Sequence, residues 1–269
     1  MTLKDIGSED LIKKYANELG AGVETYELES QFRCNGSDGY IAWLDNVLEI
    51  RNTANFDIDG FNYDFKVFDD PNKLRAAIEE KNKENNKSRI VAGYCWEWPN
   101  DKNRSDDNDK NIKIPQYNFE MSWNLSGGES FAIGEHTVKQ AGCIHTTQGL
   151  EFDYVGVIIG DDMRYENEKV ITDYMKRAST DRSLWGIKSM YNKDPENALK
   201  VADEIIKNTY RTLMTRGMKG CYVYCTDKNL SEYLKKRSNQ NVEIVYPIDE
   251  DEQDSDLIVA EESEEYKYE

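Results

Sequence analysis

Apolar positions along the chain follow two spacings, and each spacing predicts one kind of secondary structure. Apolar residues three or four positions apart indicate amphipathic helices, which are predicted at residues 8–21, 37–48, 71–87, 168–179, 195–214 and 229–237. Short alternating or continuous apolar runs indicate strands, which are predicted at residues 22–29, 63–68, 89–98, 137–145, 154–160 and 220–225. Because strands and helices alternate, we expect an α/β layered fold with a mainly parallel central sheet.

Two polar segments interrupt this alternation and set the predicted domain limits. Residues 51–130 include stretches rich in Asn and Asp, and we expect an irregular insertion there, with an exposed loop at 99–111. The chain ends in the run DEDEQDSDLIVAEESEEYKYE, whose acidity is typical of a solvated, disordered extension. The sequence therefore predicts one folded domain at 1–240 and an acidic tail at 241–269.

The formal net charge of −18 argues at first against nucleic acid, because phosphates favour a basic protein surface. From Asp249 to Glu269, however, eleven acidic residues and one lysine supply −10 of that charge. The rest of the chain carries −8 and is only mildly acidic. The net charge therefore weakens a nucleic-acid hypothesis without excluding a local basic track.

The cysteines and the hydropathy bear on the cellular compartment. The five cysteines are scattered and lack paired metal-ligand spacing, which is typical of a reduced, cytoplasmic protein. No apolar run is long enough for a membrane span, and the first residues lack the regions of a signal peptide. We therefore expect a cytoplasmic protein with no metal site of its own and no membrane partner.

Two segments place residues suited to nucleotide chemistry at the ends of predicted strands. In TTQGLEFD, Gly149 follows Gln148 and permits a tight turn in which backbone amides approach a ligand closely. Glu151 offers a carboxylate to a hydroxyl, such as a ribose oxygen. In TYRTLMTRGMKG, Arg216 stands where a helix breaks, and its planar guanidinium is suited to phosphate.

A third segment, ELESQFRCNGSDGY, places Phe32 beside Arg33, so that a ring can stack on a base while a guanidinium reaches phosphate. Each of the three segments also has a purely structural interpretation. In that interpretation TTQGLEFD is an ordinary turn and Arg216 complements a helix C-terminus. Phe32 belongs to the core, and Arg33 pairs with a surface acid. Cys143 and His145 lie two residues apart, as either a nucleophile pair or a buried thiol beside a polar residue.

Together, the order and spacing of these segments are similar to those of the second RecA-like domain of superfamily 1 helicases of the UvrD/Rep type. YELESQFRCN resembles motif IV of that superfamily, AGCIHTTQGLEFDYVGVIIG resembles motif V, and NTYRTLMTRGMKGCYVY resembles motif VI. More closely, residues 1–240 resemble the helicase-like domain grouped with Schlafen proteins, formerly a bacterial domain of unknown function. The resemblance implies a three-layer RecA-like fold of the P-loop NTPase superfamily, although this chain contains no P-loop.

In such helicases ATP lies between two RecA-like domains, and the resemblance implies which residues of this chain face it. Arg216 would be the arginine finger and Arg33 a second arginine near the γ-phosphate, so both would be catalytic. Phe32 would stack on adenine, and Glu151 would hold the ribose hydroxyl. The residues implied to contact the nucleotide are Gln31, Phe32, Gln148, Gly149, Glu151 and Thr215.

The resemblance also implies a nucleic-acid surface. His145 and Thr146 would face single-stranded DNA or RNA, and an exposed tryptophan such as Trp96 or Trp98 would offer a stacking surface. Gln148 stands where the superfamily often has a lysine, which removes one phosphate contact. No large subdomain is inserted between Arg33 and His145, which does not favour duplex unwinding.

The phosphate loop and magnesium carboxylates of a first RecA-like domain are missing from this sequence. We therefore expect ATP and Mg²⁺ to bind only together with an N-terminal P-loop domain of the same polypeptide, and we expect no hydrolysis by this chain alone. The predicted function is the C-terminal part of a nucleic-acid-dependent ATPase or helicase. The alternative is a non-catalytic module that binds nucleic acid or protein on a degenerate helicase fold.

Overall fold

The computed structural model describes residues 9–24, 34, 38–54, 58, 63–97, 110–123, 125 and 128–239. The strands of its central sheet are β1 (Asp64–Phe68), β2 (Ser88–Ala92), β3 (Ile112–Ile114), β4 (Phe119–Trp123), β5 (Gln140–Gly142), β6 (Phe152–Ile159) and β9 (Gly217–Cys225). They lie in the order β1-β9-β6-β2-β5-β4-β3, and every neighbouring pair is parallel except β3 with β4. The predicted mainly parallel sheet is confirmed.

Helices cover both faces of this sheet. The α-helices of the described residues are α1 (Glu9–Glu18), α2 (Asp38–Val47), α3 (Pro71–Asn85), α4 (Gly128–Ile133), α5 (Ile187–Tyr191), α6 (Pro195–Met214) and α7 (Lys228–Arg237), of which α2, α6 and α7 pack on one face and α3 on the other. Successive residues of β9 belong to different cores, because Val223 packs with α2, α6 and α7 whereas Tyr222 and Tyr224 pack with α3. The result is the three-layer α/β architecture of a RecA-like domain.

Close packing explains why small residues lie in the central strands. A Cβ atom at Gly156 of β6 would lie 2.8 Å from Cγ1 of Ile78, so only glycine lets α3 approach the sheet this closely.

Helix α3 begins where the sequence predicts, because the Asp70 side chain accepts a hydrogen bond from the Asn72 amide and Pro71 occupies the first turn. Among the described residues, no helix is both long and apolar enough to cross a membrane.

The predicted helix at 168–179 is wrong. Strands β7 (Met163–Glu166) and β8 (Lys169–Thr172) form an antiparallel hairpin there, followed by a short 3₁₀ helix at Tyr174–Lys176. The two turn residues, Asn167 and Glu168, have φ values of 51° and 61°. This left-handed turn matches the twist of a two-residue hairpin and prevents a helix from starting at 168.

Several other predicted boundaries need correction. The strand predicted at 89–98 ends at Ala92, and the one predicted at 137–145 shrinks to β5 after a 3₁₀ turn at Thr137–Lys139. Residues 22–24 are irregular, and the remainder of the strand predicted at 22–29 lies outside the described residues. The segment 51–130 is not simply an irregular insertion, since its described parts include β1, α3 and β2 to β4. The predicted tail at 241–269 also lies outside the described residues and stays a prediction.

Arg89 of β2 is a fully buried charge held by carbonyl oxygens rather than by a carboxylate. Its guanidinium donates to the Phe131, Ala132 and Gly134 carbonyls at 2.8, 2.6 and 3.1 Å. It also donates to the Asn86 carbonyl at 3.0 Å. Burial lowers the pKa of Arg89 to about 10, so the group is still charged at neutral pH. Arg89 therefore satisfies the carbonyl ends of both α3 and α4.

We predict that Arg89→Met destabilises the fold by on the order of 3 kcal/mol, because several buried carbonyls lose a charged donor at once. Urea unfolding at neutral pH measures this. The control is Arg75→Met on α3, which removes only a surface pair with Glu79 at 2.9 Å and should cost below about 0.5 kcal/mol. Equal unfolding midpoints for the two variants would contradict the assigned role of Arg89.

Candidate functional site

The candidate residues of the β5–β6 connection divide between two ends of the sheet. Because β5 and β6 both run parallel to β2, the chain must travel from the carboxyl end of β5 back to the amino end of β6. His145 and Thr146 follow β5 directly, whereas Glu151 immediately precedes β6. The side chains implied to face nucleic acid and those implied to face ATP thus start from opposite edges.

At the amino edge, the segment before β6 and the segment before β9 contact each other. The Phe152 amide donates to the Arg216 carbonyl at 2.9 Å, and Arg216 Nη1 donates to the Leu150 carbonyl at 3.3 Å. Thr215 ends α6, and its hydroxyl donates to the Thr212 carbonyl at 3.1 Å. The segments that resemble motifs V and VI therefore contact each other at the amino edge of the sheet.

The turn at Gly149 forms the exposed part of this edge. Gly149 has φ +76°, a conformation that a residue with a side chain rarely adopts, and a Cβ there would meet no atom within 4 Å. Gln148 and Glu151, on either side of it, are both exposed. Arg216 differs from them, since only 7 % of it is exposed and its guanidinium lies against the turn.

The segment that resembles motif IV touches the same place through one described residue. The Cys34 thiol is buried and donates a hydrogen bond to the Thr215 carbonyl, with 3.7 Å between the sulfur and the oxygen. Cys34 follows Arg33 in the sequence. Gln31, Phe32 and Arg33 themselves lie outside the described residues, so their implied roles stay predictions.

At the carboxyl edge, His145 and Thr146 differ in exposure. His145 is exposed, and its ring lies 5.9 Å from the ring of Tyr94 in an edge-on arrangement. Thr146 is buried, with its hydroxyl 3.2 Å from the Cys143 sulfur. Cys143 is itself fully buried and accepts a hydrogen bond from the Tyr94 hydroxyl at 3.4 Å. The geometry therefore favours the buried-thiol interpretation of Cys143 over a nucleophile pair with His145.

The same edge contains a buried charge network that the sequence analysis missed. Arg177 donates to Asp162 at 2.9 Å and to Asp181 at 2.8 Å, and all three side chains are at least 98 % buried. The Tyr210 hydroxyl of α6 donates to Asp162 and accepts from the Gly160 amide at 3.1 Å. The network thus joins α6 to the loops that follow β6 and β8.

Burial and charge act in opposite directions on the pKa of Arg177 and in the same direction on the pKa of Tyr210. Burial disfavours the charge on Arg177, but the two carboxylates outweigh it and raise the pKa of Arg177. Burial, together with the Asp162 charge, raises the pKa of Tyr210.

Within the described parts of the chain, no group of His, Cys, Asp and Glu side chains has an arrangement suited to a metal ion.

Comparison with known proteins identifies the family. Residues 1–227 match the family model described as Schlafen group 3, DNA/RNA helicase domain, and this chain belongs to that family. An uncharacterised protein of Saccharomyces cerevisiae is 28 % identical over 245 residues, which cover 85 % of this chain and 52 % of the yeast protein. The chain therefore spans about half the length of this relative. No solved structure gives a significant match.

We predict that Gly149→Ala lowers the stability of the protein by about 1 kcal/mol, because the left-handed conformation is costly with a side chain. Thermal unfolding should show a decrease in Tm of about 2–4 °C. Gly22→Ala is the matched control, since a Cβ there also meets no atom within 4 Å but the backbone is not left-handed. An unchanged Tm for Gly149→Ala would mean that the turn does not hold this conformation.

Proposed function

We propose that this chain is the closing RecA-like domain of a nucleic-acid-dependent ATPase with a helicase-like role. The observation that supports this proposal most directly is the contact between Leu150–Phe152 and Arg216, because it joins the two segments that resemble motifs V and VI. A phosphate-binding partner surface can dock there only if both segments lie at the same edge of the sheet. The family assignment supports this helicase-like role.

In the proposed reaction, ATP and Mg²⁺ are held by a separate P-loop domain, and this chain closes over the triphosphate. Arg216 moves from the Leu150 carbonyl toward the γ-phosphate and stabilises the charge that spreads over the transferred group. Arg33 adds a second positive charge. Glu151 accepts from a ribose hydroxyl, Phe32 stacks on adenine, and the remaining proposed nucleotide contacts come from Gln31, Gln148, Gly149 and Thr215.

The proposal also includes the partners and the location. The P-loop domain belongs to the same polypeptide, single-stranded DNA or RNA stimulates turnover, and the enzyme acts in the cytoplasm. The exposed His145 supports a nucleic-acid role for the carboxyl edge, whereas Thr146 contributes less because its hydroxyl lies against Cys143. Without the P-loop domain this chain has no group that holds the triphosphate, and it is inactive alone.

We predict that Arg216→Lys lowers ATP turnover of the natural-length polypeptide by roughly a thousandfold, as loss of an arginine finger does. Lysine keeps the positive charge but loses the planar, two-pronged donor geometry. Turnover is measured with and without single-stranded nucleic acid, and thermal unfolding of each variant reports on folding. Arg182→Lys is the control, because Arg182 is an exposed cation stacked over Trp185 at 5.3 Å.

A thousandfold loss at Arg216 with an unchanged Tm supports the finger role. If Arg216→Lys turns over ATP at the rate of Arg182→Lys, Arg216 is not the arginine finger.

One observation favours a second function, that of a non-catalytic binding module. Arg216 is mostly buried and already donates to the Leu150 carbonyl, as a purely structural arginine would. This function requires that no polypeptide containing the chain turns over ATP.

A further inference from the structure

Exposed apolar side chains lie on four elements around the first half of α6. Of the large apolar side chains in the described residues, those exposed between residues 175 and 199 are Met175, Trp185, Tyr191 and Leu199. Leu199 belongs to α6, and the other three lie in or directly after short elements that pack on α6. The ring of Tyr174 lies 6.2 Å from the ring of Tyr191, which joins two of these elements. We call the four exposed residues the Trp185 patch.

Basic side chains lie on the same elements as the Trp185 patch. The exposed cations are Lys176, Arg182, Lys188, Lys193 and Lys200, and none of them forms an ion pair with a carboxylate in the described part of the chain. Residues 174–200 contain six basic and three acidic side chains, a net charge of +3, within a chain whose net charge is −18. The Trp185 patch is therefore an apolar surface with a locally positive charge.

The composition of the Trp185 patch is typical of a protein-binding surface. Trp, Tyr, Met and Arg are enriched where proteins bind each other, and Trp and Arg often contribute most of the binding energy. The Arg182 guanidinium lies over the Trp185 ring, 5.3 Å from its centre, so both residues form one amphipathic surface. A partner that fits this surface needs apolar side chains flanked by carboxylates.

The acidic tail of this chain contains a segment with that chemistry. Leu257, Ile258 and Val259 form its apolar centre. Asp254 and Asp256 precede them, Glu261 and Glu262 follow them, and the run from residue 249 to 269 has a net charge of −10. The tail thus offers a short apolar run between two groups of carboxylates.

Charge distinguishes the Trp185 patch from the other exposed apolar surface of this domain. Ile12, Tyr15 and Leu19 are exposed along α1 and just after it. Residues 9–24, however, contain four acidic and two basic side chains, a net charge of −2. An acidic segment is repelled there and attracted to the Trp185 patch.

The length of the tail allows this contact within one chain. Helix α7 ends beside α2, because Trp43 Nε1 donates to the Arg237 carbonyl at 3.1 Å, and α6 ends beside α2 through the bond from Tyr40 to Met214. The 20 residues of α6 place its start about 30 Å from that end. Leu257 is the eighteenth residue after the last described one, and an extended chain of that length reaches about 60 Å.

The small size of the Trp185 patch favours a tethered occupant over a second copy of the chain. Stable interfaces between separate proteins use about 20–30 residues on each side, far more than this patch offers. A flexible tether of moderate length gives an effective concentration on the order of 1 mM, so a contact of millimolar affinity is already half formed. A few apolar and charged contacts are therefore sufficient within one chain.

We propose that Leu257, Ile258 and Val259 dock on the Trp185 patch of the same chain. The flanking carboxylates pair with the exposed lysines of residues 176–200, so salt weakens the contact by screening. This inference goes beyond the proposed function and does not depend on it, because it needs neither ATP nor nucleic acid. The tail covers the apolar surface that the folded domain leaves exposed.

The test treats the full chain with a carbodiimide, which joins carboxylates to nearby lysines, and identifies the pairs by mass spectrometry. We expect tail carboxylates to join Lys188, Lys193 or Lys200. Their yield is normalised to the pair of Lys219 and Asp153, whose charged atoms lie 2.8 Å apart. Tail pairs that are absent, or that form only with lysines outside residues 176–200, would overturn the proposal.

Substitutions in the tail test the apolar part of the contact without disturbing the folded domain. The double variant Leu257→Ser with Ile258→Ser should lower the normalised yield several-fold, because the apolar side chains no longer leave water. The matched control is Tyr266→Ser with Tyr268→Ser, which removes two apolar rings from the same tail. Equal yields for the two double variants contradict docking through Leu257 and Ile258.

A substitution in the patch tests the other side of the contact. Trp185→Ala should weaken docking about tenfold, as loss of a central tryptophan does. Leu19→Ala is the control, because Leu19 is also an exposed apolar residue but lies beside α1. If both variants keep the yield of the unchanged chain while salt abolishes it, charge alone holds the tail and the proposed apolar contact is wrong.

A mixture of isotopically heavy and light chains identifies the source of the tail. Pairs that join a heavy tail only to heavy lysines support docking within one chain. Mixed pairs in the proportion expected for random exchange would assign the tail to a second copy and overturn the proposal.

Discussion

The buried pairing of Arg177 with two carboxylates is the interaction on which the carboxyl edge depends. Charges removed from water carry a large desolvation cost, which is offset only when each hydrogen-bonding position has a partner. Asp162 meets this condition because it accepts from both Arg177 and the Tyr210 hydroxyl, while Asp181 also accepts from the Ser183 amide at 2.9 Å. The loops that follow β6 and β8 and helix α6 therefore take up a single arrangement, since any other would leave a buried charge unpaired.

That network also relates the two edges of the sheet to one helix. Tyr210 belongs to the last turns of α6, and Thr215 and Arg216 follow the same helix directly. The Tyr40 hydroxyl donates to the Met214 carbonyl at 3.1 Å, which fixes the end of α6 against α2. Contacts to the loops of the carboxyl edge and to the turn before β6 are therefore carried by one rigid element. A displacement at either edge has to move α6 or break these buried hydrogen bonds.

Much of the fold follows from local signals in the sequence, whereas the charge network does not. Asp194 and Pro195 cap α6, and the apolar run before Cys225 defines β9, so both elements were predicted within a few residues. The hairpin at 163–172 was missed because Val170 and Ile171 also fit a helical spacing, and only the turn conformation excludes it. Partners such as Arg177 and Tyr210 are far apart in sequence, and no local pattern shows that a charge will be buried. The amino-edge candidates were located by resemblance, and the structure brings together those it describes.

The burial of the thiols has a consequence for studying motion in this protein. Four of the five cysteines are buried, and the fifth, Cys95, is only partly exposed. Burial raises the pKa of Cys95, Cys221 and Cys225, so little of the reactive thiolate forms at neutral pH. A cysteine introduced on an exposed position can therefore be labelled with a dye while the native thiols react slowly. Pairs of dyes on the wild-type background can then test the proposed domain closure in real time without a cysteine-free variant.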